Sequence, residues 1–224
     1  VRTERTLPQD VPNEPPSVIR PTGSGTLVGG HDGEDRAWIA ALDRAGEARW
    51  VRRYRPTGGS AGAPSAILPA PSTEGAYTLV AERESFEDWR DSAWLLRFDA
   101  TGRVRWSRTY DAGVSLVEGA YAPDASTVLL AGEFDGTSAV ESTAGALAIG
   151  HGGVAWRRTY PAEWFWDVAP AGGGAGAVAV GHARRSDRDD VGVIARLGAR
   201  GDVRWWRTLG SDDAHGILHE QHNP

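Results

Sequence analysis

A tryptophan-centred motif recurs four times in this chain, at intervals of roughly fifty residues. The clearest copy is AWLLRFDATGRVRWSRTY at 93–110, and AWIAALDRAGEARWVRRY at 37–54 matches it closely. More degenerate copies end near residues 160 and 209. The anchor residues of the four copies are Trp50, Trp106, Trp156 and Trp205. A repeat of this period indicates that the chain stacks several copies of one supersecondary unit, because a single unit cannot bury its own apolar faces.

Each repeat contains four short strand-like segments, which we label a, b, c and d in chain order. Segment b is an apolar stretch bordered by glycine, which is typical of a buried strand. Segments c and d flank an Asp-x-x-Gly turn, seen at 43–46 and 99–102, where Asp caps the turn and Gly accepts a positive φ. The a segments are residues 17–19, 66–68, 119–121 and 167–169, and the b segments are residues 26–29, 77–80, 128–131 and 177–180.

Radially arranged four-stranded sheets would cover both faces of every repeat, so the sequence predicts an all-β protein with the β-propeller fold. We expect a single domain over 1–224, with the anchor tryptophans packed between blades. VRTERTL at 1–7 aligns with VRWWRTL at 203–209, and 214–219 falls where an a strand begins, which predicts a fifth blade shared between the termini. The alternative is an open fragment of a larger propeller. The four complete blades are expected at 16–54, 63–110, 115–160 and 165–209.

The same residues carry a resemblance to bacterial exported β-propeller repeat proteins. Those repeats run aromatic-hydrophobic-x-basic-hydrophobic-Asp-x-x-Gly, then Trp, Arg-x-Tyr and a Gly-Asp-Asp-like turn, which 93–110 and GSDD at 210–213 fit. The chain is also similar to the Trp-docking repeats of quinoprotein propellers, although its turn at 99–102 is one residue shorter. The first resemblance implies an exported protein, located in the periplasm, at the cell surface or outside the cell. Neither implies one activity, because propellers host enzymes, lectins and scaffolds.

Composition argues against several classes of partner. With 24 basic and 30 acidic residues the net charge is −6, which gives no electrostatic reason to expect a nucleic acid or an anionic membrane. No apolar run approaches the roughly 18 residues of a membrane-spanning helix, so membrane insertion is not expected. The absence of Cys removes disulfides, thiolate metal sites and cysteine nucleophiles.

One end of the blades is expected to form a ligand-binding face. Alternation of strand direction brings every b–c loop and every d–a connection to the same end. The b–c loops carry Asp32, Arg36 and Trp89, and the d–a connection at 161–167 adds Trp164 and Trp166, which lie outside the repeat pattern. We interpret these five residues as candidate ligand contacts. The alternative is that the charged loops are merely solvated and the tryptophans cover a blade edge.

Evidence for a cofactor is weak in the sequence, and none is predicted. Asp187, Asp189 and Asp190 could supply oxygen ligands to Ca²⁺, but the stretch lacks the spacing and glycine of a dedicated loop, and arginines flank it. A solvated, self-paired loop is the competing interpretation. The C-terminal histidines lack the spacing of a zinc helix, and no nucleophile elbow or phosphate-binding loop is present, so no catalytic residue is assigned.

The leading functional hypothesis is a non-enzymatic binding or surface module that presents its loop face to a glycan, peptide or protein. The alternative is an enzyme using the central channel, such as a quinoprotein-like oxidoreductase or a hydrolase. That activity would need convergent polar side chains on the a strands, which carry mainly Ala, Val, Ile, Leu and Pro. A third hypothesis is a scaffold whose partners are further blades of a longer chain or another copy.

Overall fold

A computed structural model describes the chain at 15–71, 73–84, 92–111, 114–122, 127–134, 143–150, 152–172, 176–184 and 190–209. These residues form sixteen β-strands and no helix. Within those ranges there is accordingly no helix that could cross a membrane. The segments expected to share a fifth blade, 1–7 and 214–219, lie outside the described residues.

The strands form four antiparallel four-stranded sheets, each a simple meander in chain order. The predicted all-β fold with four-stranded blades is therefore confirmed. Contacts divide the chain into two compact units, Val1–Ala112 and Gly113–Pro224, with two sheets in each.

The first unit contains the first and second sheets. The strands of the first sheet are β1 (Pro16–Thr22), β2 (Gly25–His31), β3 (Ala37–Asp43) and β4 (Ala48–Tyr54). Those of the second sheet are β5 (Ser60–Pro69), β6 (Ala76–Glu84), β7 (Ser92–Asp99) and β8 (Val104–Tyr110).

The second unit contains the third and fourth sheets. The strands of the third sheet are β9 (Val114–Tyr121), β10 (Val128–Phe134), β11 (Thr143–Gly150) and β12 (Gly153–Thr159). Those of the fourth sheet are β13 (Trp164–Pro170), β14 (Ala177–Arg184), β15 (Asp190–Leu197) and β16 (Val203–Leu209).

Burial changes from strand to strand within a sheet. The middle strands β3, β7 and β11 are buried over most of their length, which explains why they read as continuous apolar runs. The last strands β4, β8, β12 and β16 are rich in arginine; β8, β12 and β16 are mostly exposed, and the three arginines of β4 are exposed as well. Charged side chains protect such an edge strand from pairing with another chain.

A hydrogen-bonded joint connects the two blades of the first unit. The indole N–H of Trp50 donates to the carbonyl of Ala100 (2.9 Å), and the hydroxyl of Tyr54 donates to the carbonyl of Gly102 (2.8 Å). Both acceptors lie in the turn between β7 and β8. The rings of Trp50 and Tyr54 also pack against the buried Phe98 at centroid distances of 6.4 and 6.0 Å. We call this contact the Trp50 joint.

An equivalent Trp156 joint connects the two blades of the second unit. Here the indole of Trp156 donates to the carbonyl of Ala199 (2.9 Å), and the hydroxyl of Tyr160 donates to the carbonyl of Gly201 (2.8 Å). Burial raises the pKa of Tyr54 and of Tyr160, so both phenols remain protonated donors at neutral pH. The prediction that the anchor tryptophans pack between blades is confirmed for Trp50 and Trp156.

The turn that receives the tryptophan depends on glycine and, in the second sheet, on aspartate. Gly102 has φ +77°, and a Cβ there would lie 3.0 Å from Cζ3 of Trp50. Gly201, with φ +75°, faces Trp156 in the same way. The carboxylate of Asp99 accepts hydrogen bonds from Thr101 and Arg103, and the side-chain bond from Thr101 is the main cause that lowers the pKa of Asp99 to about 2. The hydrogen bonds that shape this turn therefore lie within the turn itself.

Two alanine variants separate the contribution of the Trp50 joint to the free energy of unfolding from the contribution of the turn alone. Gly46 and Gly102 occupy equivalent turns and both have positive φ, but among the described residues a tryptophan ring lies beside Gly102 and none beside Gly46. Gly46→Ala should destabilise the protein by about 1–2 kcal/mol through backbone strain alone. Gly102→Ala should add about 1–3 kcal/mol, because its Cβ displaces the ring of Trp50. Urea denaturation in dilute solution measures both, and equal losses would show that the joint contributes nothing.

Candidate ligand-binding site

The first strand of every sheet contains a β-bulge at the same position of the repeat. The extra, unpaired residues of the four bulges are Ser17, Ser65, Val117 and Trp166. A bulge bends the strand and redirects a side chain, and such bulges are frequent beside functional sites.

The bulge residue of the fourth sheet departs from those of the first unit. Ser17 and Ser65 use their hydroxyls within the fold, donating to the carbonyls of Pro64 (2.7 Å) and Val80 (3.4 Å). Trp166 occupies the same position and is 55% exposed. The bulge leaves two consecutive residues, Trp166 and the following Asp167, facing solvent. A large aromatic side chain here is not required by the repeat.

The residue after the bulge differs between the two units. It is Val18 and Ala66 in the first unit, whereas it is Glu118 and Asp167 in the second. Strands β9 and β13, which carry these two acidic residues, pack against each other. The second unit therefore places two carboxyl groups where the first unit has apolar side chains.

Trp166 is backed by a polar pair. Its ring stacks on that of His182 with a centroid distance of 4.9 Å and an interplanar angle of 28°. Nε2 of His182 lies 3.3 Å from Oε2 of Glu163, and the backbone N–H of Glu163 donates to the carbonyl of His182 (3.0 Å). Nδ1 of His182 is buried and makes no hydrogen bond to the residues that the structure describes. Most buried side-chain nitrogens in proteins have a hydrogen-bond partner, so Nδ1 of His182 is an exception. We call Glu118, Glu163, Trp166, Asp167 and His182 the β13 cluster.

Local packing fixes the position of Trp166. Phe165 is fully buried, and its ring packs against Tyr160 and Trp206 at centroid distances of 5.3 and 6.2 Å. On the neighbouring strand, a Cβ on Gly181 would lie 1.9 Å from the carbonyl oxygen of Trp164. Glycine is therefore required on β14 opposite the bulge. The packing of Phe165 and the close approach at Gly181 hold the part of β13 that carries Trp166 in place.

The electrostatics of the cluster centre on Glu118. Burial is the largest cause that raises the pKa of Glu118, and the negative charge of Asp167 raises it further. The backbone N–H of Gly119, which donates to Oε1 of Glu118 at 3.1 Å, acts in the opposite direction. At a given pH, the carboxyl group of Glu118 is thus protonated more often than that of an ordinary glutamate.

Asp32 and Arg36 are engaged within their own loop. The side chain of Asp32 is only 4% exposed, and Oδ1 accepts the backbone N–H groups of Glu34 (3.0 Å) and Arg36 (3.2 Å). Oδ2 accepts Nε of Arg36 at 2.8 Å, and Arg36 also pairs with Glu34. Burial raises the pKa of Asp32, but these hydrogen bonds outweigh it, so the pKa lies below its ordinary value. The geometry gives Asp32 a role in shaping the β2–β3 loop.

The remaining predicted residues are placed only in part. Trp164 is half-buried at the start of β13, where it lies opposite His182 of β14 in the strand register. Trp89, Asp187 and Asp189 lie outside the described residues. Asp190 begins β15, and its side chain is not described. Among the residues with described positions, no group of three His, Asp or Glu side chains could hold a metal ion.

The comparisons with known proteins identify the fold. No protein-family model matches the chain, and no curated protein matches it. The structure is similar to Kuenenia stuttgartiensis hydrazine synthase, with a TM-score of 0.54 and 19% identity over 81% of this chain and 52% of that chain. It is also similar to the β-propeller domain of the Trilobed protease from Pyrococcus furiosus, described as having an open velcro topology. That match has a TM-score of 0.53 and 12% identity, over 88% of this chain and 57% of that one. The chain thus spans little more than half the length of either structure, and the likeness shows the propeller fold.

The raised pKa of Glu118 predicts a specific dependence of stability on pH. A carboxyl whose pKa is higher in the folded state binds more protons when folded, so its contribution makes stability fall as pH rises from the ordinary Glu pKa through the folded pKa. Glu118→Gln removes this contribution and should gain stability relative to wild type between acidic and neutral pH. Asp167→Asn should weaken the effect by removing the neighbouring charge. Urea denaturation across this pH range tests it, and parallel curves for Glu118→Gln and wild type would contradict the assignment.

Proposed function

We propose that this protein is a carbohydrate-binding propeller module whose ligand lies on the β13 cluster. The observation that carries the proposal is the exposed indole of Trp166, stacked on His182 at a bulge where the first unit uses serine. A large aromatic side chain that the repeat does not need, exposed at a bulge and surrounded by polar groups, fits a ligand contact.

The shape and polarity of the cluster favour a sugar. One face of the Trp166 ring lies on His182, so the exposed part of the ring offers the opposite face and the edge. The apolar face of a pyranose ring can pack on a flat indole, while its hydroxyl groups need polar partners at the rim. The carboxylates of Glu163 and Asp167 can accept hydrogen bonds from those hydroxyls. A fixed strand beneath Trp166 keeps the platform preorganised.

The charge of the cluster indicates which sugars fit. Asp167 and Glu163 are acidic, Glu118 is nearby, and the whole chain has a net charge of −6. Anionic sugars such as sulfated or sialylated glycans would be repelled. The preferred ligands are therefore neutral sugars or sugars that carry an amino group.

An enzymatic function remains the second candidate, because Glu118 and Asp167 form a pair of carboxyl groups with one raised pKa. Such pairs serve as acid and base in glycoside hydrolysis. A hydrolase would release shorter oligosaccharides from the sugars that it binds, whereas a binding module would return them intact. Mass spectrometry of the recovered ligand distinguishes the two functions.

The location of the protein and the closure of its propeller are also proposals. The resemblance to exported repeat proteins supports a location in the periplasm, at the cell surface or outside the cell. A ring closed by 1–7 and 214–219 in a shared fifth blade is one proposed architecture, and an open propeller is the alternative; the Pyrococcus domain is described as having an open velcro topology.

A glycan array followed by calorimetry tests the carbohydrate proposal. Wild type should bind neutral or amino-sugar glycans and not their sulfated counterparts. Trp166→Ala should lose about 2 kcal/mol of binding free energy, or roughly 30-fold in affinity, as expected for a central aromatic contact. Trp166→Phe should retain part of the affinity.

Ile19→Ala is the matched control for this experiment. Ile19 is an exposed apolar residue on β1, outside the cluster, so its removal should leave affinity unchanged. Failure of the wild type to bind any glycan, or equal affinity of wild type and Trp166→Ala, would refute the proposal.

A further inference from the structure

One face of the Trp166 indole is covered by the side chain of His182. The imidazole stacks on the indole with a centroid distance of 4.9 Å and an interplanar angle of 28°. The His182 side chain is only 21% exposed, whereas Trp166 is 55% exposed. A sugar on the open face of the indole therefore lies on the other side of the ring from His182 and does not touch the imidazole.

The bulge deprives the indole of Trp166 of a partner on the neighbouring strand. In the strand register the partners of Phe165 and Asp167 are adjacent residues of β14, so Trp166 has no residue opposite it. Cross-strand pairs support side chains in a regular sheet, and an indole without such a pair can rotate about two side-chain bonds. The packing of β13 thus fixes the position of the Trp166 backbone, and the plane of the indole needs a contact of its own.

His182 is itself held in place by the sheet and by Glu163. In the strand register it lies opposite Trp164 of β13 and Gly192 of β15. Its backbone carbonyl accepts the N–H of Glu163 (3.0 Å), and Nε2 of its ring lies 3.3 Å from Oε2 of the same residue. Both contacts connect the imidazole to the chain just before β13, three positions ahead of Trp166.

The surroundings of the two ring nitrogens select one tautomer of His182. Nε2 faces a carboxylate oxygen, which accepts hydrogen bonds, while Nδ1 is buried and makes no hydrogen bond to the described residues. A proton on Nδ1 would leave a buried donor without an acceptor, which folded proteins rarely tolerate. The proton of the neutral imidazole therefore lies on Nε2 and points at Glu163.

We propose that His182 is the positioning residue of the sugar site. Stacked behind Trp166 and anchored by Glu163, it fixes the plane of the indole on which the sugar packs. His182 acts through Trp166 and makes no contact with the sugar. Its effect on affinity rests on the proposed carbohydrate function, whereas the order of the indole can be measured without any sugar.

NMR of the protein without a sugar tests the stacking and the tautomer. In wild type the ring protons of His182 should be shifted upfield by the indole on which they lie, and Trp166→Ala should abolish that shift. The ¹⁵N shifts of His182 should show a protonated Nε2 and a bare Nδ1. The order parameter of the Trp166 indole N–H should fall in His182→Ala and stay at the wild-type value in His182→Phe, because phenylalanine restores a flat ring.

Calorimetry with the neutral glycan that wild type binds most tightly on the array measures the effect on affinity. His182→Ala should bind this glycan about three- to tenfold more weakly, because the indole must then be ordered on binding. His182→Phe should bind it within about twofold of wild type. Val178→Ala is the matched control, since it truncates another half-buried side chain of β14 and should change neither the order of the indole nor the affinity.

Several results would overturn the positioning role even if sugar binding is confirmed. One is the absence of the upfield shift in wild type, and another is an indole that is as ordered in His182→Ala as in wild type. Failure of His182→Phe to restore the order would contradict stacking, and a protonated Nδ1 would contradict the anchoring by Glu163. If wild type binds no glycan, the carbohydrate function is refuted instead, and the order of the indole still decides whether His182 positions Trp166.

Discussion

The docking of a tryptophan on the turn of the next blade is the contact on which the architecture of each unit depends. A four-stranded sheet has two faces and cannot cover both, so neighbouring sheets must be held in a defined position. In each unit an indole and a phenol donate to two carbonyls of one short turn, which fixes that position through directional bonds. Glycine is needed in the turn because any Cβ would meet the tryptophan ring.

In the second unit this joint also supports the candidate site. Tyr160 donates its hydroxyl to the turn of the fourth sheet, and its ring packs on Phe165 in β13. The next residue along β13 is Trp166, the exposed platform of the β13 cluster. In the proposed site, folding and ligand contact thus divide between adjacent residues, since the bulge turns Phe165 to the core and Trp166 to solvent. The same geometry in the first unit carries Ser17 and Ser65, whose hydroxyls donate to backbone carbonyls of the fold.

Local patterns made the framework predictable from the sequence. The anchor tryptophans recur at spacings of 56, 50 and 49 residues, an Asp-x-x-Gly turn precedes two of them, and Trp166 stands out as an aromatic residue outside that pattern. Glu118, Glu163 and His182 were missed, because a register shift and the packing of β9 on β13 bring them together, and neither is encoded by spacing. Alignment of the bulge positions would have shown that Val18 and Ala66 are replaced by Glu118 and Asp167. Asp32 stays a predicted ligand contact, and the structure adds what a loop sequence does not reveal, that both its carboxylate oxygens accept hydrogen bonds within the loop.

Hydrogen exchange of the indole N–H groups, followed by NMR in dilute solution, tests the joint most directly. The account predicts that the signals of Trp50 and Trp156 exchange slowly, because each N–H donates to a carbonyl of the neighbouring blade. The signals of Trp166 and Trp205, which are exposed, should exchange at least about tenfold faster. Exchange of Trp50 and Trp156 as rapid as that of Trp166 would contradict the claim that tryptophan docking holds the blades together.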